Sequence, residues 1–439
     1  MRQSRAPETF RVKSFGCQMN VYDGERMADL LGEQGMSAAV EGEDAELVVL
    51  NTCHIREKAA EKAYSDVGRL RREDGSRPLI ALAGCVAQAE GAEAKRRSAM
   101  IDIVVGPQAY HRLPEMVAEA AHGGRPIDTD MPAMAKFDAL PARRRANPSA
   151  FLTVQEGCDK FCTYCVVPYT RGAEISRPWS DIVSEARELV DAGAREIVLL
   201  GQNVNAWADG RRGLAELIRV LAKIDDLDRI RYTTSHPADM TDELIAAHGE
   251  VEKLMPYLHL PVQSGSNRIL KAMNRSHTAE TYLAILEKVR AACPDIAISG
   301  DFIVGFPGET EEDFEATLKI VDAVRYASAY SFKYSPRPGT PAATMENQIP
   351  RDIMDDRLQR LQARIAEPSL AFNRSKVGTN TQVLIERKGK LPGQMIGRSP
   401  WLQSVHVETN ARAGDVVDVT LVAAGPNSVG GAQRERVAA

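Results

Sequence analysis

The sequence predicts an α/β protein in three parts: an N-terminal doubly wound parallel sheet, a central partial (β/α)6 barrel and a small C-terminal all-β barrel. Three observations predict it. Short apolar runs alternate with helical patterns over residues 9–125, and the same alternation recurs over residues 149–375. Residues 376–439 instead carry strand patterns joined by glycine-rich turns. The segment 126–148 between the first two parts is predicted to be a linker.

The composition is that of a globular enzyme, with 44% hydrophobic and 26% charged residues over 439 positions. No apolar run approaches the ~18 residues that cross a bilayer, and Met1–Lys13 lacks the apolar stretch of a signal peptide. Seven cysteines without an export signal indicate a reducing compartment. We therefore expect a cytoplasmic protein without membrane attachment, and a monomer.

Overall charge does not indicate a nucleic-acid binder, because 55 Lys and Arg against 60 Asp and Glu give −5. The C-terminal part differs from the rest. From Ala371 onward there are nine basic and five acidic residues, so this region carries +4. A basic surface for nucleic acid, if the protein has one, is expected there.

The N-terminal strands are short runs rich in Val, Ile and Leu, at Val12–Cys17, Leu47–Cys53, Pro78–Cys85 and Ile101–Pro107. Between them, Ile55–Arg72 repeats apolar residues every three to four positions, which is typical of an amphipathic helix. Strands separated by helices indicate a parallel sheet. The linker interrupts this pattern with Pro, Ala, Met and the basic cluster Arg143–Arg145.

The central part repeats the strand–helix pattern six times, which is fewer than the eight repeats of a full barrel. Its strands are predicted at Phe151–Gln155, Glu196–Gly201, Ile230–Ser235, Tyr257–Val262, Ile296–Gly305 and Ser328–Tyr334. Its helices are predicted at Ser180–Ala192, Leu214–Ile224, Asp242–His248, Arg268–Met273, Ala279–Ala292 and Glu311–Tyr326. The C-terminal strands are predicted at Thr381–Glu386, Gln394–Gly397, Val405–Glu408 and Val416–Val422.

Cys158, Cys162 and Cys165 form a C-x3-C-x2-C motif directly after the first central strand. Thiolates at this spacing on one loop can surround a soft metal centre. A structural zinc site would need a fourth ligand nearby, and the next cysteine is Cys293, which we interpret as structural. Three ligands on a four-iron cluster would leave one iron open for a small molecule.

Cys17, Cys53 and Cys85 each end a predicted strand of the N-terminal sheet. Because the carboxyl ends of parallel strands meet at one edge, where ligands bind, these cysteines are expected to share a crevice. The alternative is that they are buried for packing alone, since Cys is among the most buried residue types. The positions by themselves favour a site without excluding that alternative.

The segment Gly157–Pro178, GCDKFCTYCVVPYTRGAEISRP, resembles the radical S-adenosylmethionine segment of the methylthiotransferase family. The resemblance extends along nearly the whole chain. Its other motifs are SFGCQMN at Ser14–Asn20, NTCHIREKA at Asn51–Ala59, AGCVAQ at Ala83–Gln88, LLGQNVN at Leu199–Asn205, LHLPVQSGS at Leu258–Ser266, DFIVGFPGET at Asp301–Thr310 and YSPRPGTPAA at Tyr334–Ala343.

The resemblance implies a methylthiotransferase domain, a radical S-adenosylmethionine core and a C-terminal TRAM barrel that grips RNA. It also implies two 4Fe–4S clusters, one held by Cys158, Cys162 and Cys165 and the other by Cys17, Cys53 and Cys85. Beyond these ligands no catalytic side chain is expected, because the cofactors carry the chemistry.

The resemblance further implies residues that contact S-adenosylmethionine. Tyr164 would lie against the adenine, and the strand-end residues Gly201 and Gln202 would meet the methionine end. Gln263 and Ser264 would reach the ribose, and Gly305 would let its strand approach the adenine closely. For Tyr164 the alternative is ordinary loop packing. His236 and His259 lie near strand ends and are assigned no role.

The implied reaction is methylthiolation at C2 of N6-dimethylallyladenosine beside the anticodon of tRNA. One S-adenosylmethionine would supply the methyl group, and a second would yield a 5′-deoxyadenosyl radical that abstracts the C2 hydrogen. Sulfur-donor and electron-donor proteins are also implied, and the sequence identifies neither. The run CTYCVVPYTRG favours this substrate over threonylcarbamoyladenosine in tRNA and over a ribosomal-protein aspartate. A non-enzymatic iron–sulfur or zinc RNA-binding protein is the alternative from another class.

Several basic residues could contact RNA phosphates, although solvated surface charge is the more common role of any one arginine. The candidates are Arg69, Arg71, Arg72 and the cluster Arg143–Arg145. In the terminal barrel, Trp401 is the main candidate for stacking on a base.

Overall fold

The computed structural model describes residues 5–40, 42–54, 57–71, 75–131, 135–143 and 145–434. The chain divides into two compact units. The first runs to Arg143 and also takes residues 156–159 and 165–175; the second holds residues 144–155, 160–164 and everything from Ser176 onward. In the part of the chain that is described, no helix is both long and apolar enough to cross a membrane.

The first unit is built on a six-stranded sheet in which every neighbouring pair is parallel. In spatial order the strands are Ser37–Ala38, Thr9–Phe15, Leu47–Thr52, Leu79–Gly84, Ile103–Val105 and Ile127–Asp128. The predicted doubly wound sheet is confirmed, and the four central strands are those that the sequence predicts. The two edge strands were not predicted, because two residues carry no measurable alternation.

Helices cover both faces of this sheet. They are Gln18–Glu33, Glu57–Arg69, Cys85–Glu90, Ala92–Arg97, Leu113–Ala121 and Ala135–Asp138, with a 3-10 turn at Tyr110–Arg112 and the short helix Val167–Arg171 in the same unit. Alternate residues of the buried strand Leu47–Thr52 enter two different clusters. Leu47 and Val49 pack in one cluster, whereas Val48 and Leu50 pack in the other. Burial on both sides explains why residues 47–50 of this strand form a continuous apolar run.

Residues 126–148, predicted as a linker, carry structure of their own. Ile127–Asp128 pairs with the strand Ile103–Val105. Lys136, in the helix that follows, is 1% exposed and forms an ion pair with Glu156. The pairing and the buried charge make this segment part of the first unit as far as Arg143.

The second unit contains two three-stranded parallel sheets that together supply the six predicted strands of the partial barrel. The strands are Ser149–Thr153, Glu196–Leu200, Arg229–Tyr232, Tyr257–His259, Ala297–Val304 and Ser328–Lys333. Short strands outside these sheets are Gln155–Glu156, Ile175–Ser176, Ala208–Asp209 and Arg212–Gly213.

All six predicted helices of the central part are present. The helices are Trp179–Asp191, Leu214–Leu221, Asp242–Glu250, Asn267–Ala272, Ala279–Ala292, Glu311–Val324 and Arg351–Ser375, with 3-10 turns at Val204–Ala206, Pro237–Asp239 and Pro341–Thr344. The 25-residue helix Arg351–Ser375 was not predicted. It buries few side chains and contains Pro368, so its apolar periodicity is weak.

The C-terminal residues form a closed five-stranded barrel, which confirms the predicted small all-β barrel. Its strands are Asn380–Lys388, Gln394–Arg398, Ser404–Glu408, Val416–Ala424 and Val429–Gln433. The last of these was not predicted because its sequence, VGGAQ, contains two glycines, which are depleted in strands. A Cβ on Gly431 would lie 3.0 Å from the Cγ1 of Val405, so the barrel core leaves little room for a side chain there.

Two buried arginines on the strand Arg229–Tyr232 join this barrel to the partial barrel. Arg229 donates to the carbonyl oxygens of Arg398 (2.7 Å) and Gln382 (2.9 Å). Arg231 donates to those of Pro400 (2.7 Å) and Ser399 (2.9 Å). The terminal barrel is therefore held by hydrogen bonds to its own backbone as well as by apolar packing.

Candidate metal and cofactor sites

Cys17, Cys53 and Cys85 come at the carboxyl ends of the first, third and fourth strands along the chain, as predicted. The sheet order reverses between the first and third strands, because the second strand lies on the outer side of the first. In doubly wound sheets, ligands bind outside the carboxyl ends at such a reversal. The three cysteines therefore stand where this kind of fold binds its ligands.

The thiols interact with one another. A hydrogen bond with Cys53 is the largest effect on Cys17, and it lowers the pKa of the Cys17 thiol to about 6 against the opposing effect of burial. Burial raises the pKa of Cys85, and the charge of Cys17 raises it further. The Cys17 thiol also donates to the side-chain oxygen of Asn20 (3.2 Å). A thiolate is the form that binds iron, so the lowered pKa of Cys17 suits a ligand.

Gly16 fits closely against one of these cysteines. Its φ is +116°, and a Cβ there would lie 2.2 Å from the Cβ and 3.2 Å from the Sγ of Cys53. Both the backbone conformation and the lack of space require glycine at this position.

We expect Gly16→Ala to lower the free energy of unfolding by ~1–3 kcal/mol, since the new methyl group must displace Cys53 or the backbone. Urea denaturation measures this. Gly32→Ala is the matched control in the helix Gln18–Glu33, because no atom lies within 4 Å of its Cβ position. That control should be neutral or stabilising by up to ~1 kcal/mol. Equal stability of Gly16→Ala and the wild type would contradict the close fit.

A group of buried charges lies within electrostatic range of the same cysteines. Arg171 donates to Asp23 Oδ2 (2.5 Å) and to Glu156 Oε1 (3.1 Å). Lys136 also pairs with Glu156, and all four side chains are at most 2% exposed. Gln108 donates to Glu156 Oε2 (2.7 Å) and to the carbonyl oxygen of Arg171 (3.0 Å).

No sequence motif singles out these charged residues. Glu156 and Arg171 flank the second cysteine motif, and that position was the available signal. Lys136 gave none, because it lies in a segment that resembles a linker. Burial is the largest effect on the pKa of Asp23 and raises it, while Arg171 opposes that change. For Glu156, Lys136 and Arg171 outweigh burial, and the pKa of its carboxyl is lowered.

The second cysteine motif lies on a loop held in place by the end of the helix Asn267–Ala272. Thr163 donates its backbone N–H to the Met273 carbonyl (3.1 Å) and its hydroxyl to that of Ala272 (2.9 Å). The Asn274 amide donates to the carbonyls of Lys160 (3.1 Å) and Phe161 (3.0 Å). These bonds hold Phe161 at a φ of +47° and so fix the backbone just before Cys162.

The three thiols of the motif differ in environment. Cys162 is 9% exposed and accepts a hydrogen bond from Arg275 at 3.7 Å. Cys158 and Cys165 are half-buried. Across the described part of the chain, no three His, Cys, Asp or Glu side chains are already grouped around one metal position. The donor chemistry of both sets, three thiols each, nevertheless fits an iron–sulfur cluster.

The residues expected to contact S-adenosylmethionine at the second strand lie at its end. Gly201 directly follows Glu196–Leu200, and a Cβ there would lie 2.6 Å from Gln155 Oε1. The same oxygen accepts from the backbone N–H of Gln202 (2.9 Å). The turn after this strand is therefore fixed by the side chain of Gln155.

Tyr164, on the loop of the second cysteine motif, packs against a small apolar cluster in the second unit.

The other expected contacts have structural partners. Gln263 has a φ of +75° and forms a bridge with Phe302. Ser264 is fully buried, and its oxygen accepts from the backbone N–H of Ser266 (3.2 Å). Gly305 has a φ of +72°, and the place of a Cβ is taken by Met354, whose Cγ would be 2.2 Å away. Glycine at 305 is therefore required by the packing of the long helix.

Two of the residues considered for RNA contact, Arg143 and Trp401, are buried in the structure. Arg143 is buried and pairs with Glu25 (2.8 Å), because the segment before the second unit packs inward. Trp401 is 8% exposed and donates its ring N–H to the Asp295 carbonyl (3.0 Å), so it has no free face for a base.

The remaining basic candidates and the two histidines have simple placements. Arg69, Arg71 and Arg145 are exposed, whereas Arg72 and Arg144 lie outside the described residues. His236 is buried, and burial lowers its pKa to about 2. His259 is within hydrogen-bond distance of Ser299 Oγ (3.1 Å).

Comparisons with known proteins agree with this arrangement. The family model described as "Radical SAM superfamily" matches residues 152–321, and the one described as "Uncharacterized protein family UPF0004" matches residues 9–106. A solved structure of the radical S-adenosylmethionine methyltransferase TsrM from Kitasatospora setae aligns with a TM-score of 0.57 over 76% of this chain and 73% of that one. At 13% identity this likeness shows the fold.

Curated relatives match over nearly the full length. A tRNA-2-methylthio-N(6)-dimethylallyladenosine synthase from Novosphingobium aromaticivorans is 71% identical over 433 residues, covering 98% of each chain. A protein of the same name from Erythrobacter litoralis is 68% identical, covering 100% of each. The chain therefore belongs to the radical S-adenosylmethionine family whose curated members carry the name tRNA-2-methylthio-N(6)-dimethylallyladenosine synthase.

Proposed function

We propose that this protein methylthiolates C2 of N6-dimethylallyladenosine in tRNA, using S-adenosylmethionine and two 4Fe–4S clusters. The observation that carries the proposal is the 71% identity, over 98% of the chain, to a relative that bears the name of this activity. Replacing an aromatic C–H bond with a C–S–CH3 group is beyond side-chain acid–base chemistry, so the cofactors supply the reactive species. The protein binds and orients the cofactors and the tRNA base, and it excludes water from them. We place this activity in the cytoplasm.

In this proposal Cys158, Cys162 and Cys165 hold the cluster that binds S-adenosylmethionine, and Cys17, Cys53 and Cys85 hold the other. The loop of the first trio is pinned by hydrogen bonds, which supports a role in which ligand positions must be fixed. The second trio is supported by its place at the reversal of the sheet order and by the lowered pKa of Cys17.

Six residues are proposed to contact S-adenosylmethionine, namely Tyr164, Gly201, Gln202, Gln263, Ser264 and Gly305. Support comes from their location beyond the carboxyl ends of the barrel strands, where barrel enzymes place their sites. For Ser264 and Gly305 the hydrogen bonds and packing already described mean that contact would be made through the backbone.

Nucleoside analysis tests the proposal directly. Purified protein with reconstituted clusters, S-adenosylmethionine and a reductant is expected to convert the N6-dimethylallyladenosine of tRNA to its 2-methylthio derivative, as measured by mass spectrometry. Matched tRNA with unmodified adenosine should not react. Methylthiolation of threonylcarbamoyladenosine, or of an aspartate in a ribosomal protein, would instead show that this protein acts on that other substrate. Binding of tRNA without cleavage of S-adenosylmethionine would favour a passive binding protein.

We propose that tRNA is gripped by the terminal barrel. Three exposed cations, Arg387, Lys388 and Lys390, lie within four residues at the end of the strand Asn380–Lys388 and the turn after it. Such a group can neutralise backbone phosphates although the chain as a whole is acidic.

Replacing Arg387, Lys388 and Lys390 with Gln should weaken tRNA binding at low salt by roughly tenfold or more. It should also flatten the salt dependence by up to about one unit of slope per charge, since fewer counterions are released. Filter binding across a salt series measures both.

The matched control removes the same charge from exposed positions of the central part, each changed to Gln: Arg187 and Lys319 on helices, and Lys223 in the turn after the helix Leu214–Leu221. Affinity should then stay near that of the wild type. Equal losses in the two triple variants would contradict a role specific to the barrel.

A further inference from the structure

The second three-stranded sheet of the partial barrel has one covered face and one open face. Leu258, Phe302 and Val304 lie on the covered face and are buried in the main apolar core of the second unit. Side chains alternate between the two faces along each strand. The open face carries the residues in between, which the strand register brings side by side: His259, Ser299, Asp301, Ile303, Tyr330 and Phe332.

Two aromatic rings on this open face are exposed to solvent. Tyr330 is 54% and Phe332 is 40% exposed. Within the described residues of the second unit, Phe161 is the one other Phe, Tyr or Trp that is exposed. Both rings belong to Ser328–Lys333, the strand at the end of the sheet. Neighbouring exposed rings on one face of a sheet indicate a binding surface.

The two ends of the open face show where it leads. At the amino ends of the strands, Tyr257 and Ala297 pack in the apolar cluster of the terminal barrel, which closes that end. Toward the carboxyl ends, Ile303 packs against the same small apolar cluster as Tyr164, one of the proposed S-adenosylmethionine contacts. The open face therefore runs toward the proposed cofactor site.

Asp301 provides a hydrogen-bond acceptor on this face. It is the register partner of Tyr330, and its side chain is 26% exposed. The Nε2 of His259 lies 3.5 Å from Asp301 Oδ2, and its Nδ1 lies 3.1 Å from Ser299 Oγ. The His259 ring also meets that of Tyr330 edge to face, with centroids 6.2 Å apart. A carboxylate and two exposed rings are thus held side by side.

We propose that this open face binds the substrate base and selects it. Tyr330 stacks on the adenine, while Phe332 and Ile303 contact the dimethylallyl group. Asp301 accepts the one N–H that N6 retains after it has been alkylated. This inference rests on the proposed function and adds the residues that recognise the nucleoside. Bases turned out of single-stranded RNA are commonly recognised by stacking on aromatic side chains and by hydrogen bonds to their edges.

The test compares two anticodon stem-loops, identical except that one carries N6-dimethylallyladenosine and the other adenosine, in filter binding to the full chain with reconstituted clusters. The wild type should prefer the dimethylallyl stem-loop. Phe332→Ala should reduce this preference by up to roughly tenfold, because an apolar contact is lost. Tyr330→Ala should weaken the binding of both stem-loops by roughly tenfold, and Tyr330→Phe should restore it, since stacking needs only the ring.

Turnover gives a second readout. Tyr330→Ala and Asp301→Ala should raise the ratio of 5′-deoxyadenosine to methylthiolated nucleoside, because a misplaced base is out of reach of the radical. The matched control is Ile353→Ala, since Ile353 is also 40% exposed and lies on the helix Arg351–Ser375 of the same unit. Its stem-loop preference and its product ratio should equal those of the wild type.

Equal binding of the two stem-loops by the wild type, or unchanged binding in both Phe332→Ala and Tyr330→Ala, would overturn the inference. The proposed function would still stand if the wild type methylthiolated its substrate. Weaker binding of S-adenosylmethionine instead of RNA would assign the face to the cofactor, and a dimer that Tyr330→Ala dissociates would assign it to a second copy of the chain. Either result would overturn the inference. A wild type that forms no methylthiolated nucleoside would overturn the proposed function and this inference with it.

Discussion

Replacing Cys17, Cys53 and Cys85 with Ala is expected to give a protein that still cleaves S-adenosylmethionine but forms no methylthiolated nucleoside. Under the proposed ligand assignment, the cluster that binds S-adenosylmethionine keeps its three ligands in this variant, whereas the other cluster loses all of its own. The protein should therefore retain about half of its iron after reconstitution, as expected for two clusters of the same kind. Iron content, 5′-deoxyadenosine and modified nucleosides are measured on one sample.

The complementary variant, with Cys158, Cys162 and Cys165 replaced by Ala, is the control. It should also keep about half of the iron, yet it should produce no 5′-deoxyadenosine. Circular dichroism establishes that both variants are folded. Methylthiolation by the Cys17, Cys53 and Cys85 variant, or loss of all iron from either one, would be incompatible with two separate clusters.

Glu196→Ala is expected to destabilise the protein strongly, because it breaks a buried ion pair. Glu196 accepts from Arg231 (2.8 Å) and from Ser149 (2.7 Å), and both partners of the ion pair are 2% exposed. Its removal leaves the Arg231 cation buried without a carboxylate, a change that costs roughly 3–5 kcal/mol. Urea denaturation of the full chain measures the difference.

The exposed pair Arg219–Glu250 is the matched control in the same unit. Its nitrogen–oxygen distance is 2.9 Å, but its side chains are 36% and 59% exposed. Glu250→Ala should therefore cost under ~1 kcal/mol. Similar losses for Glu196→Ala and Glu250→Ala would show that burial does not strengthen the first pair.

The contribution of the Glu196 carboxylate to stability should depend on pH. Burial alone would raise the pKa of Glu196, but the charge of Arg231 and the Ser149 hydrogen bond outweigh it, and the pKa lies below its ordinary value of 4.5. A carboxyl with a lowered pKa stabilises the folded state above its unfolded pKa, and that contribution is lost as pH falls through the folded pKa. The difference in stability between the wild type and Glu196→Gln should thus shrink below pH 4.5.

The sequence was sufficient to predict the elements whose pattern is local. Residues 47–50 form a continuous apolar run because the strand Leu47–Thr52 is buried on both faces, and Cys53 directly follows the strand. The sequence therefore indicates both the strand and the cysteine that follows it. The spacing of the second cysteine motif was visible for the same reason, since its three thiols share one loop.

What could not be predicted depends on partners far along the chain. The strand Val429–Gln433 forms by pairing with the strands Ser404–Glu408 and Val416–Ala424, and Val405 and Val407 leave little room for a side chain at Gly431. Lys136 can be buried because it donates a hydrogen bond to the carboxylate of Glu156, 20 residues later. Trp401 is buried, and its ring N–H donates to the carbonyl oxygen of Asp295, 106 residues earlier. No local pattern encodes such pairings.

Because of the hydrogen bonds between the two barrels, the terminal barrel cannot be transferred to another protein on its own without losing partners. Arg229 and Arg231 donate to the backbone of Gln382, Arg398, Ser399 and Pro400, so a chain cut at Val377 would leave two guanidinium groups without four carbonyl acceptors. The excised barrel would in turn present Trp401 to water. Grafting this barrel onto another enzyme would therefore require carrying the strand Arg229–Tyr232 with it, and a domain swap between relatives should exchange both pieces together.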